Sequence, residues 1–180
     1  CGANKYEGSI GMDYNPKTGA DVIHDLDDFP YPFSDDEFDM VISRHVVEHV
    51  PNVIKFVEEL HRITKPGGRI KLVTPHYTNP DWAGDPTHLH PLNSYSFISF
   101  ISEKQVFEFY THAELNEISR YVSLLNLWKF LGFEFLVNLD EKYKGMRFLR
   151  KFWEQYLCYI IRGKILHFEF EVVKDGKPAQ

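Results

Sequence analysis

The stretch FDMVISRHVVEHVPNVIKFVEELHRITKPGGRIKLVT, Phe38 to Thr74, decides the fold. FDMVIS is a short apolar run, and Val53, Ile54, Phe56, Val57, Leu60 and Ile63 recur at helical spacing. RIKLVT alternates as a strand does. Asn52 is suited to cap the helix, and Pro66-Gly67-Gly68 is expected to end it. Strand, helix, glycine turn, strand is a βαβ unit, which requires parallel strands and a crossover. The class is α/β, with ligands expected at the carboxyl ends of the strands.

Working outward, SIGMD (Ser9 to Asp13) and ADVIHDL (Ala20 to Leu26) are two further strand-like runs upstream. Downstream, residues 75–96 are rich in Pro, His, Asn, Asp and Tyr, a long functional loop after a strand. Ser102 and Gln105 form a capping box for a short helix through Tyr110. Glu117 to Leu125 is ambiguous but strand-compatible. Residues 146–162 read as helical, Lys164 to Lys174 as a late strand, and the tail DGKPAQ as loose.

The chain has 180 residues, 43% hydrophobic and 16% aromatic, enough for one domain with a substantial core. Its net charge is −6 and its basic residues do not cluster, which argues against nucleic acid as a partner. No apolar stretch reaches the length of a membrane span, and the first residues lack the features of a signal peptide. Two cysteines, Cys1 and Cys158, suggest no disulfide framework. A reducing, cytoplasmic setting is therefore expected. Because the chain starts at Cys1 rather than Met, it is expected to belong to a longer polypeptide.

Asp13 and Asp25 fall at the ends of successive strand-like runs. A carboxylate in such a position can accept both hydroxyls of a ribose. Leu26 can present a backbone N–H and an apolar side chain to a base. Either aspartate alone could be an ordinary turn residue; the pair suggests a nucleotide-type site.

The set CG-x-N-K, IG-x-D, DVIHDLDDFPYPF, FDMVISRHVVEHV and ELHRITKPGGRIKLVTPH resembles the class I S-adenosylmethionine-dependent methyltransferases, small-molecule branch, over residues 1–100. The resemblance implies a Rossmann-like, mostly parallel sheet with a late antiparallel strand. It implies one domain over residues 1–180: a cofactor core at 1–100, then a variable substrate region and last strands at 101–174. The family's first strand, at the sheet's centre, would lie before Cys1. By resemblance Cys1 and Gly2 end the glycine-rich loop, Asp13 holds the ribose, and Asp25 and Leu26 contact adenine. Arg44 and His45 lie near the sulfonium. The implied activity is methyl transfer from S-adenosylmethionine to a small-molecule acceptor. A non-catalytic adenosyl-ligand-binding or scaffolding domain is the alternative.

HVVEHV also matches H-x-x-E-H, the inverted zinc-protease signature. His45 follows a strand directly instead of sitting within a helix, so His45, Glu48 and His49 are not expected to form a zinc hydrolase and no metal is expected. His49 should pack or cap that turn. In PHYTNPDWAGDPTHLHP, His-x-His with Asp85 could ligate a metal. The resemblance instead makes this loop the substrate-facing lid, with His76 and His88 as candidate general bases and His90 a weaker one. His76 should be the most rigidly placed. Trp128, Phe130, Phe133, Phe135, Phe152 and Trp153 read as core, with an acceptor pocket or a homo-oligomer contact as the other readings.

Overall fold

The computed structural model describes residues 5–101 and 111–174. Gly2 and Cys1, the helix expected over residues 102–110 and the final tail lie outside the described residues.

Two short strands, β1 (Met12–Asp13) and β2 (Val22–Ile23), pair in parallel. A four-stranded sheet follows, built from β3 (Phe38–Arg44), β4 (Thr64–Pro75), β5 (Glu114–Leu124) and β6 (Gly163–Val173) in the order β3-β4-β6-β5. β3 runs parallel to β4, while β6 is antiparallel to both its neighbours. The late strand thus enters the sheet between β4 and β5, as an antiparallel insertion into a Rossmann-like arrangement. Among the described residues β3 forms an edge, and its Met40 and Ile42 are exposed.

Helix α1 (Val53–Ile63) is the crossover between β3 and β4. The Asn52 side chain accepts the Lys55 N–H at 3.0 Å, so the cap is made as the sequence implies. Phe56, Val57, Leu60 and Ile63 are buried, and Val53 and Ile54 are half-buried against the same core. Full burial of each such side chain contributes roughly 1.5–3 kcal/mol. Facing them are Ile70 and Leu72 of β4 and Leu166, Phe168 and Phe170 of β6, all buried because the strands alternate.

Pro66-Gly67-Gly68 differs from expectation. It lies within β4, not ahead of it: two residues along β3 match five along β4, so Lys65 to Gly68 bulge out of register. Gly67 takes φ +73°, and a Cβ on Gly68 would stand 2.7 Å from the Thr64 methyl. Only glycines permit so tight a fold-back.

After β5 the chain forms three short helices, α2 (Asn126–Phe130), α3 (Phe133–Val137) and α4 (Leu139–Lys142). Then α5 (Arg147–Phe152) runs into a π turn over Trp153–Leu157. No helix among the described residues is long and apolar enough to cross a membrane.

Candidate functional site

The aspartate pair lies where parallel strands end. Asp13 is the last residue of β1, and its Oδ1 accepts the Asn15 N–H at 3.0 Å. Its carbonyl takes the His24 N–H at 3.0 Å, which holds the ends of β1 and β2 together. Asp25 is exposed just past β2, with Oδ1 3.1 Å from the Asp27 N–H. Leu26 is half-buried against the core, and its carbonyl accepts the Tyr31 hydroxyl at 3.1 Å. The upstream turn is fixed by Asp21, which accepts the Gly11 N–H at 2.7 Å and the Lys5 ammonium at 2.8 Å. Those two donors, the Gly11 amide first, hold its carboxyl below the usual carboxylate range. Sequence reading missed Asp21; a lone aspartate between two short runs carries no signal.

At the end of β3, Arg44 is exposed and 3.5 Å from the Tyr6 hydroxyl. His45 takes φ +52°, a left-handed conformation unfavourable for a non-glycine residue. Its N–H donates to the Val73 carbonyl at 2.8 Å, so the strained turn is held by β4. Beside it the Ser43 hydroxyl is buried without a hydrogen-bond partner among the described residues. An orphaned donor, a strained exposed imidazole and carboxylates at neighbouring strand ends fit an adenosyl ligand with a polar ribose and a charged tail.

Glu48 organises the next layer. It is fully buried, with Oε1 3.3 Å from His45 Nδ1 and Oε2 accepting the Thr74 hydroxyl at 3.0 Å. The segment from Val47 to His49 is a turn, not a helix, which agrees with the reading of H-x-x-E-H as a strand-end motif.

The histidines of the following loop are not equivalent. His76 is fully buried, with Nδ1 2.8 Å from Thr78 Oγ1 and Nε2 2.8 Å from Glu154 Oε1. Glu154 Oε2 accepts the Ser94 hydroxyl at 2.7 Å, so one carboxylate joins both ends of the loop. Gly163 lies against this ring; a Cβ there would stand 2.5 Å from His76 Cγ. His76 is rigidly placed, as expected, but both its nitrogens are committed to buried partners and not turned to an acceptor. The deciding partner, Glu154, is 78 residues away and could not be seen locally. His88 is half-buried, with Nδ1 2.7 Å from the Trp82 carbonyl, and its ring lies 4.6 Å from that of His49. His90 Nε2 meets the Val50 carbonyl at 2.8 Å.

The aromatic segment is only partly core. Trp153 is buried, and Trp128 and Phe133 are half-buried. Phe130, Phe135 and Phe152 are 87%, 66% and 52% exposed, so the core reading fails for these three. The short helices place them on the outer side, where helical spacing alone does not reveal a neighbour.

Residues 9–72 match the family described as methyltransferase domain. Over that stretch the chain resembles a methyltransferase domain. Over 43 residues the chain is 54% identical to a chloroplastic tocopherol O-methyltransferase of Arabidopsis thaliana, covering 24% of this chain and 12% of that protein. The matched stretches span no more than 20% of the first curated relatives. An S-adenosylmethionine-dependent methyltransferase from Archaeoglobus fulgidus shares the fold at TM-score 0.53 and 14% identity, over 89% of this chain and 74% of that one. One from Mesorhizobium loti does so at TM-score 0.50 and 15% identity, over 89% and 78%. Both of these solved structures are described as dependent on S-adenosylmethionine.

Proposed function

We propose that the chain transfers a methyl group from S-adenosylmethionine to a small-molecule acceptor. The observation that carries this is that Asp13, Asp25 and Leu26 stand at or just past the ends of the parallel pair β1 and β2, and Arg44 and His45 at the end of β3, all within the stretch that matches the methyltransferase domain. Asp13 would hold the ribose hydroxyls, with Asp25 and Leu26 at the adenine and Arg44 and His45 toward the methionine end. Gly2 belongs to the same proposal through its sequence position.

The cofactor supplies an electrophilic methyl bound to a sulfonium. The protein's residues then have to align an acceptor and exclude water. The loop over residues 76–96 follows β4 at its carboxyl end and is proposed as the acceptor side. His76 braces it; His88 offers Nε2 to whatever enters. Self-association through the exposed aromatic face is part of the same proposal.

Calorimetric titration with S-adenosylhomocysteine tests the cofactor, and a screen of small acceptors for cofactor consumption tests the reaction. Binding and turnover are expected. Binding without turnover on any acceptor would favour the non-catalytic reading, and absence of binding would remove both.

A further inference from the structure

We infer that Glu48, His49 and His88 form a binding site for a divalent transition-metal ion of the zinc type. One donor atom from each lies within 4.8 Å of the others. This is not the H-x-x-E-H set, because His88 comes from the loop after β4 and takes the place that the motif gives to His45. The two segments are stitched together: the Leu89 and His90 N–H groups donate to the Glu48 carbonyl at 2.8 and 3.3 Å.

The hydrogen bonds of the two rings point the same way. His88 Nδ1 is 2.7 Å from the Trp82 carbonyl, and His49 Nδ1 is 3.3 Å from the Thr87 carbonyl and 3.0 Å from the Thr87 hydroxyl. A carbonyl only accepts, so each Nδ1 carries the proton and each Nε2 is left with a lone pair. That arrangement is the usual way a protein orients imidazole toward a metal. Glu48 is a fully buried carboxylate whose side-chain partners among the described residues are the Thr74 hydroxyl and the His45 imidazole. A buried carboxylate without a lysine or arginine is costly, and a cation between it and two imidazoles would offset that cost. Asp85 Oδ2, 3.9 Å from His88 Nε2, stands beside the set. The Thr87 hydroxyl and N–H hold the other oxygen of Asp85 at 2.6 and 2.9 Å.

Two imidazoles and one carboxylate suit zinc and its first-row neighbours and leave coordination positions open. Glu48 also touches His45, so the ion would lie between the proposed cofactor end and the loop. If the methyl-transfer reading holds, an open position there would take an acceptor hydroxyl and favour its deprotonated form. The metal would then activate the acceptor, with His88 as ligand and not as base. Metal binding itself does not rest on that reading.

The test uses the whole chain, stripped with chelator, with no cofactor or acceptor present. Zinc chloride titrated by calorimetry and cobalt chloride followed by visible absorption should each give one ion per chain. His49→Ala, His88→Ala and Glu48→Gln should each weaken binding at least ~10-fold, while His24→Ala should not. Circular dichroism checks that each variant folds. In the unsubstituted chain, bound zinc should protect His49 and His88 from diethyl pyrocarbonate, as mapped by peptide mass. No stoichiometric ion, unchanged affinity in folded His49→Ala and His88→Ala, or no protection of either ring would overturn the inference. Because S-adenosylhomocysteine binding is measured separately, loss of one result leaves the other standing.

Discussion

Asp13 ends its strand with a carboxylate that already accepts one backbone N–H. If it also holds a ribose, Asp13→Ala should weaken S-adenosylhomocysteine binding by about 1.5–3 kcal/mol, the range for charge-assisted hydrogen bonds. Calorimetry reads this directly, and unchanged affinity would remove Asp13 from the site. His76 should behave differently. His76→Ala removes a buried ring that meets both Thr78 and Glu154 and leaves Glu154 short of a partner. A loss of roughly 2–4 kcal/mol in denaturant unfolding is expected, with cofactor affinity preserved if the protein folds. The aspartates were legible in the sequence because their positions follow from strand ends. The burial of His76 was not, since it depends on Glu154, Trp153 and Gly163 arriving from the far end of the chain.

Elements with strong periodicity were the legible ones. The cap and apolar face of α1 and the alternation of β6 read correctly because each needs only its own residues. The bulge in β4 did not, because it is a mismatch between two strands and appears only when they pair. Arg150 of α5 belongs to this second kind. It is fully buried, donating to the Arg120 carbonyl and to Asp140, with Nε unpartnered among the described residues. Burial pushes its guanidinium below the ordinary value despite Asp140. Arg150→Ala should cost about 3–5 kcal/mol, as for breaking a buried pair, measured by denaturant unfolding. His61 on α1 gives a pH signature. Burial is the main cause that lowers its titration, outweighing the Val173 carbonyl that favours the protonated ring. A depressed folded value means its contribution is complete above the unfolded value of about 6.5 and is lost as pH falls through the folded one. Melting temperature should therefore drop on acidification below that point, and His61→Gln should flatten this part of the profile.

For the whole molecule, the α/β class was legible from the order of elements, while the antiparallel direction of β6 came only from the family resemblance. The outward face of the helices after β5 was not, because apolar periodicity does not say which side is covered. Phe130, Phe135, Phe148 and Tyr156 are all more than half exposed. Self-association there predicts that sedimentation velocity will show concentration-dependent growth, suppressed in Phe130→Ser with a stability change within about 0.5 kcal/mol. A monomer at every concentration would discard that face as a contact. Glu154 has a different consequence. By gripping His76 and Ser94 at once, it closes residues 77–93 into a bight fastened at its neck. Thr78 tightens that neck from inside the bight, since its hydroxyl meets the His76 ring and accepts the Gly163 N–H. One carboxylate from the far end of the chain thus moors both ends of the interval, and loosening it would cast off the two together.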